Sequence, residues 1–190
     1  MSGTDNFVLR STVTSPFGRK VRMAIDVLGL GYRIKLQPAD PLDESDTLRQ
    51  QNPLGKMPCL VLPDGGSIYD SGIIIEYLQD VAGTDRLLPL RGRERYRALT
   101  LSRLADGIMD ASVLLVYEGR WRPPERHEPK WVDLQAGKVA RALTALEAAP
   151  PAFGATPDVG QIALACALGY RDFRFPGTWR ADHPRLVTWL

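Results

Sequence analysis

The chain has 190 residues, 44% of them hydrophobic and 24% charged, with 24 Lys/Arg against 22 Asp/Glu and a formal net charge of +2. That length allows one large or two small domains and buries about 70% of the unfolded surface, enough to fold without a metal or a disulfide framework. The balance excludes collagen-like, disordered and membrane-spanning chains. The longest apolar runs, such as 73–75 and 162–168, fall far short of the roughly 20 residues a bilayer requires, and the net charge is too small to argue for nucleic acid.

The first part of the chain alternates strand and helix signals. Phe7-Val8-Leu9 reads as a strand leading through Ser11–Val13 into a loop, and Pro16 sits where a first helical turn tolerates it. Phe17, Val21, Ala24, Ile25 and Leu28 then mark one helix face, which Gly29 and Gly31 end. A short strand fits Tyr32–Leu36 and a looser helix Glu44–Gln51. Met57–Leu62 reads as a strand, Pro63-Asp64-Gly65-Gly66 as a hairpin turn and Ser67-Ile68-Tyr69 as the returning strand. Asp70 or Ser71 caps a helix whose face carries Ile74, Tyr77, Leu78 and Val81. The order is β-α-β, a connection, then β-β-α.

Beyond the linker Leu87–Gly92 only helical signals remain. They predict helices over Arg93–Gly119 and Lys130–Ala148, a third opened by Asp158 and Gln161 in a capping-box spacing, and another beginning at His183-Pro184. The run Ile162–Leu168 is apolar on all faces, so its helix is expected in the middle of the domain. Charge follows the same divide: residues 1–90 hold 9 Lys/Arg and 11 Asp/Glu, residues 91–190 hold 15 and 11. The expected domains are therefore 1–86, α/β, and 87–190, all-helical. Cys59 and Cys166 read as buried small hydrophobes; their sparseness and the absence of a basic-then-apolar leader at Met1–Arg10 suit a cytoplasmic protein.

Three motifs carry chemistry. In Thr14-Ser15-Pro16-Phe17 a hydroxyl residue stands at the start of a helix, facing unpaired N–H groups and the positive end of the dipole, a place that stabilises an anion as well as one that simply needs a cap. In Asn52-Pro53-Leu54-Gly55-Lys56-Met57-Pro58 a proline opens a strand. A cis Met57-Pro58 bond would turn the Met57 N–H and C=O outward to pair with an extended peptide, whereas an ordinary edge proline would not. In Tyr69-Asp70-Ser71-Gly72 the Ser71 hydroxyl and N–H groups can hold a carboxylate and Asp70 an ammonium, beside the simpler role of capping.

Within one β-α-β-β-α frame these motifs resemble the cytosolic glutathione transferases, bacterial type with a serine-type site. The match runs over essentially the whole chain: Ser15-Pro16-Phe17 stands where related thiol-dependent proteins carry Cys-Pro-Phe, Asn52–Pro58 resembles Asn-Pro-x-Gly-Lys-Val-Pro, and Asp70-Ser71 the Glu/Asp-Ser pair. The resemblance implies a thioredoxin-like N-terminal domain followed by an all-helical C-terminal domain. It implies glutathione as co-substrate with no cofactor, a small hydrophobic electrophile as second substrate, and a homodimer. Ser15 would be the catalytic hydroxyl, with Thr14 and Thr12 as fallbacks. Met57, with Pro58 behind it, would pair with the cysteinyl backbone, Asp70 and Ser71 would hold the γ-glutamyl end, and Lys56 would lie on the glycyl carboxylate side.

Departures accompany the match. Asp158-x-x-Gln161 replaces Ser/Thr-x-x-Asp, keeping cap chemistry without a buried acid; Gly160 stands where a better helix former would gain up to roughly 1 kcal/mol; and the sequence ends at Trp189-Leu190, which implies a more open pocket. With no Cys at the helix start, disulfide reduction is disfavoured. His127 and His183 lack ligand spacing for zinc, and Gly29-Leu30-Gly31 follows a helix rather than a strand, unlike a dinucleotide fingerprint. The arginines 86, 91, 93, 95 and 97 read as a solvated face or a subunit contact, or as a carboxylate site at a dimer interface. Trp121, Trp131, Trp179 and Trp189 are expected to pack the helical domain. The alternatives to catalysis are a glutathione- or ligand-binding protein without turnover and a partner-binding adaptor of the same fold.

Overall fold

The computed structural model of the chain describes residues 6–190. They fall into two compact units, which divide between Arg95 and Tyr96.

The first unit contains β1 (Phe7–Arg10), α1 (Pro16–Leu28), β2 (Ile34–Gln37), α2 (Leu48–Gln51), β3 (Cys59–Val61), β4 (Ser67–Tyr69) and α3 (Ser71–Ala82). The sheet order is β2-β1-β3-β4, with β1 parallel to β2 and both other pairs antiparallel. A parallel pair needs a crossover, which α1 supplies, while the antiparallel β3–β4 pair closes through the tight turn at 63–66. Helices α1 and α3 pack on each other, and Val21, Ala24 and Ile25 of one and Ile74, Ile75 and Leu78 of the other are buried with Phe7, Leu9 and Leu60 of the sheet. A separate small core holds Ala39, Leu48 and Cys59, with Met57 packed on it.

Two elements differ from expectation. Residues 31–33 form a 3-10 turn, so β2 starts at Ile34 and the Tyr32 ring is 80% exposed. The helix expected from Glu44 begins only at Leu48, because aspartates ahead of it take the backbone donors: Asp40 accepts from Leu42 N–H (2.9 Å), Asp43 from Ser45 N–H (2.8 Å) and Asp46 from Leu48 N–H (2.7 Å). Such side chain–backbone bonds offer the chain a turn in place of a helix. The linker also behaves unlike a free connection. Leu87 and Leu88 are buried, and Gln79 of α3 holds their backbone, its Oε1 accepting from both N–H groups (3.0 and 2.7 Å) and its Nε2 donating to Leu88 O (2.9 Å).

The second unit is built from α4 (Arg93–Trp121) from Tyr96 onward, α5 (Pro129–Ala148), α6 (Val159–Arg174) and α7 (Pro184–Trp189). The apolar stretch of α6 is its centre: Ile162, Ala163, Leu164, Cys166, Ala167 and Leu168 are all buried. Asp158 and Gln161 make a reciprocal capping box (2.9 and 2.8 Å), and the Gln161 amide also donates to Ala152 O, so the residue that stands where the resemblance implies an acid is buried and hydrogen-bonded through both its amide oxygen and its amide nitrogen. The tryptophans divide. Trp179 is in the core and Trp189 stacks on Phe153 at 4.9 Å, but Trp121 and Trp131, expected inside, are exposed at the α4–α5 connection. They lie near helix ends, on either side of a connection made mostly of proline and charged residues.

Asp172 accepts from the Trp179 indole (2.8 Å) and from Arg180 Nε and Nη2 (2.9 and 2.6 Å), and these bonds, Arg180's first, hold its carboxyl below the usual carboxylate range. A carboxyl lowered in the folded state stabilises above its unfolded pKa of about 3.9, and that contribution is lost as pH falls through the lowered folded value. Asp172→Asn is therefore expected to depress the thermal midpoint more at pH 7 than at pH 3. Melting curves with the same offset at both pH values would rule the carboxylate out as the cause.

Candidate functional site

Strand register brings the three motifs together. Arg10 pairs with Gln37 on one side and Cys59 on the other, and Cys59 pairs with Tyr69, so one row crosses the sheet. Directly beyond that row lie the loop 11–15 after β1, Met57-Pro58 before β3 and Asp70-Ser71 after β4. At about 4.8 Å per strand, β1 to β4 spans about 10 Å. An extended tripeptide covers a similar length, at about 3.3–3.6 Å per residue.

Ser15 is the N-cap of α1, with extended backbone (φ −75°, ψ 120°) and its Oγ accepting from Gly18 N–H at 3.1 Å. Capping uses an oxygen lone pair and leaves the hydroxyl proton to donate elsewhere, so the two roles weighed for this residue do not compete. The loop lies tight against the helix: a Cβ on Gly18 would stand 1.9 Å from Ser11 Oγ and 3.2 Å from Ser11 Cβ. Thr12 and Thr14 have their hydroxyl oxygens 3.2 Å apart, engaged with each other, and Thr14 is exposed.

The Met57-Pro58 bond is cis, which decides between the two readings the motif left open. Asn52 shapes the approach to it. It is buried, its Nδ2 donates to Lys56 O (2.8 Å) and its Oδ1 accepts from Leu54 N–H (3.1 Å). Because the ladder begins at Cys59, the sheet does not use the Met57 N–H and C=O. Lys56 is exposed on the same loop. At the third motif the N-cap is Asp70, whose carboxylate accepts from Gly72 N–H at 2.7 Å, and Ser71 is the buried first residue of α3. Asp70 has φ 64°, the one positive φ outside glycine among the described residues. Strain of that kind, on the order of 1–3 kcal/mol, persists where surroundings over-determine a conformation, often at ligand clamps.

The sequence pattern did not single out the support beneath this site. Arg10, at the end of β1 and 2% exposed, reaches Thr47 Oγ1 (2.9 Å), Gln51 Oε1 (2.6 Å), Pro38 O (3.2 Å) and Asp46 Oδ1 (2.5 Å). One guanidinium thus ties residues 38–51 to the strand that launches the Ser15 loop. The Asp46 carboxyl is held low, first by the Asp40 N–H (2.8 Å) and further by Leu48 N–H and Arg10, against the opposing effect of burial. The only available signal was a charged residue closing an otherwise apolar strand, a weak one. Cys59 is buried and burial pushes its thiol up, which suits a structural rather than a reactive role. The basic cluster is dispersed among separate tasks: Arg86 donates to Val27 O (3.2 Å), Arg95 bonds Glu76 (2.8 Å) and Pro89 O, and Arg97 pairs with Asp158 (3.4 Å). Among the described residues no His/Cys/Asp/Glu group could hold a metal, and no helix is long and apolar enough to cross a membrane.

A four-stranded mixed sheet in β-α-β-β-α order, with a cis proline ahead of its third strand and an all-helical unit following, is the thioredoxin-like arrangement of glutathione-binding proteins. The glutathione S-transferase N-terminal domain model matches residues 9–86 and the C-terminal domain model residues 129–190. A glutathione transferase family member from Pseudomonas fluorescens Pf-5, solved with bound glutathione, is 43% identical, with a TM-score of 0.88 over 97% of this chain and 92% of its own. A glutathione S-transferase from Methylobacillus flagellatus, with GSH bound, is 31% identical with a TM-score of 0.89 over 97% and 92%. The uncharacterized GST-like protein YibF of Escherichia coli (strain K12) is 36% identical over 184 residues, 94% of this chain and 89% of the relative. The chain belongs to the glutathione S-transferase family.

Proposed function

We propose that the protein is a glutathione transferase that activates the glutathione thiol with Ser15 for conjugation to, or reduction of, small electrophiles. The observation that carries this reading is the register row Gln37-Arg10-Cys59-Tyr69, which sets all three motifs at one end of the sheet. The glutathione bound in the Pseudomonas fluorescens and Methylobacillus flagellatus relatives supports the choice of ligand.

A free thiol has a pKa near 8.5, so only a few per cent is thiolate at pH 7. Lowering it by about two units takes roughly 2.7 kcal/mol of preference for the charged form. A hydroxyl hydrogen bond to the sulfur, about 1.5–3 kcal/mol, together with the α1 dipole at about 0.3–1 kcal/mol, is of that size. In this mechanism Ser15 keeps its proton, donates a hydrogen bond to the thiolate sulfur and attacks nothing, and the thiol proton leaves to solvent. The Met57 N–H and C=O pair with the cysteinyl residue as another strand would, Pro58 fixing their direction. Ser71 takes the γ-glutamyl carboxylate at the start of α3, Asp70 its ammonium, and Lys56 the glycyl carboxylate. The thiolate then attacks an activated carbon of a small hydrophobic electrophile, forming the thioether as a leaving group departs or an epoxide C–O bond opens. Alternatively it attacks a peroxide oxygen, breaking the O–O bond to release an alcohol and a glutathione sulfenic acid, with which a second glutathione condenses to give the disulfide and water. Two copies of the chain form the working assembly, which sedimentation checks.

The test is calorimetric titration with glutathione beside conjugation kinetics on a panel of activated aryl halides, epoxides and peroxides. Micromolar-to-millimolar binding with turnover is expected; binding without turnover on any electrophile would leave a carrier protein, and no binding would overturn the assignment. Ser71→Ala, which removes one hydrogen bond to a charged group, is expected to weaken glutathione binding about tenfold while changing the rate at saturation little. A loss confined to the saturated rate would take Ser71 out of the binding site.

A further inference from the structure

The backbone edge assigned to glutathione is not held by the sheet. The β1–β3 ladder begins at Cys59, so the N–H and C=O of Met57 stand outside it. Their hold comes from the segment ahead of them. Asn52 N–H donates to Leu48 O (2.7 Å), Asn52 Nδ2 donates to Lys56 O (2.8 Å), and the Met57 side chain packs on the small core of Ala39, Leu48 and Cys59. Two of these three contacts run to Leu48 of α2.

α2 does not stand by its own strength. It is one turn of four residues, its N-cap Thr47 makes no side-chain capping bond, and a helix this short is unstable alone in water. Arg10 supplies what it lacks. Nη1 donates to Thr47 Oγ1 (2.9 Å) at one end of the turn and to Gln51 Oε1 (2.6 Å) at the other, while Nη2 donates to Pro38 O (3.2 Å) and Asp46 Oδ1 (2.5 Å) ahead of it. A planar guanidinium fork can meet four acceptors spread over residues 38–51; the point charge of an ammonium cannot. Asp46 completes the clasp. Its Oδ1 accepts from Arg10 and from Leu48 N–H (2.7 Å), and its Oδ2 from Asp40 N–H (2.8 Å), so three donors meet two oxygens.

We infer that Arg10 and Asp46 are positioning residues for glutathione, with the assignment of Met57 and Lys56 to that ligand as the premise: their clasp keeps segment 38–51 closed, and the closed segment sets the Met57 edge and Lys56 in the arrangement that binds the tripeptide. Both act through α2 and Asn52. The linkage is reciprocal, so bound glutathione stabilises the closed segment by as much as the clasp improves binding. The acidity of the thiol is outside its reach, because Ser15 is fixed at the start of α1 by Gly18 N–H and not by this segment.

Asp46→Asn tests the clasp by changing one atom. An amide offers one acceptor oxygen and one donor nitrogen, so at least one of the three N–H donors must then face an NH₂ group. The calorimetric Kd for glutathione is expected to rise about tenfold in Asp46→Asn and in Arg10→Lys, as when the competent arrangement falls to about a tenth of the population. Thiolate absorbance in the binary complex should give the same thiol pKa as in the wild type. Asp43→Asn, which disturbs the neighbouring turn at Ser45 and leaves the clasp alone, should bind as the wild type does. A glutamate-specific protease should cut after the exposed Glu44 faster in both clasp variants, and saturating glutathione should slow that cut in the wild type. Melting curves check that each variant is folded; if Arg10→Lys is not, Asp46→Asn, at the outer end of the pair, carries the test alone. Wild-type affinity in Asp46→Asn, an equal loss in Asp43→Asn, or a thiol pKa that rises together with the Kd would overturn the positioning role. A wild-type chain that bound no glutathione would overturn the proposed function and this role with it, whereas equal binding by every variant would overturn this role alone.

Discussion

Ser15→Ala is expected to raise the pKa of the bound glutathione thiol by about one to two units and, through the smaller thiolate fraction, to slow conjugation at pH 7 by about three- to twenty-five-fold, with affinity for glutathione largely intact. The size follows from one hydrogen bond to a charged acceptor, and the sparing of affinity follows from the assignment of binding to Met57, Asp70 and Ser71. A second effect travels with it. Ser15 Oγ accepts from Gly18 N–H, so alanine also removes the N-cap of α1, a loss of about 1 kcal/mol in stability. Ser15→Thr separates the two, because threonine restores both the cap and a hydroxyl donor and is expected to recover most of the rate. The measurement is thiolate absorbance against pH in the binary complex of each variant. An unchanged titration in Ser15→Ala would move the activating role to Thr14 or Thr12, whose hydroxyls meet at 3.2 Å on the same loop.

The parts of this molecule that were legible in its sequence are those where one local rule acts alone. Pro16 and Gly29 bracket α1, the turn at 63–66 joins β3 to β4, and Asp158 with Gln161 opens α6, each as expected, although β3 is Cys59–Val61, shorter than the expected Met57–Leu62 because the cis proline precedes the ladder. The site motifs were legible because each is a backbone device: a cap, a proline ahead of a strand, a strand-to-helix junction. The illegible parts depend on partners distant in the chain. Arg10 reads as an ordinary strand-ending charge until the segment 38–51 folds over it. Gln79 reads as a polar residue on an apolar helix until Leu87 and Leu88 bring it their backbone. The helix over 44–47 failed for a nearer reason, three aspartates whose side chains outbid helical hydrogen bonds. Trp121 and Trp131, expected to pack the helical domain, stand exposed beside the α4–α5 connection, a placement no local pattern in the sequence marks.

Gly160 reverses its expectation. Helix propensity alone says that alanine in the first turn of α6 gains up to about 1 kcal/mol. The structure places α6 so close to α4 that a Cβ at residue 160 would stand 2.7 Å from Ala98 O, 2.8 Å from Leu101 Cβ and 3.0 Å from Leu101 Cγ. The first of these is a backbone atom in the buried middle of the unit and has no rotamer with which to move away. Accommodation therefore requires the two helices to separate where Ile162, Ala163 and Leu164 complete the core, and overpacking of that kind costs about 1–3 kcal/mol or more. Gly160→Ala is accordingly expected to destabilise the protein by about 2 kcal/mol net, the crowding outweighing the propensity gain. Denaturant titration measures it, with Gly107→Ala on α4 as the control, since a Cβ there meets nothing within 4 Å and should gain about 1 kcal/mol. If Gly160→Ala proved as stabilising as the control, the close approach of α4 and α6 at this point would be wrong, and the glycine would be the departure from helix preference that the sequence alone suggests.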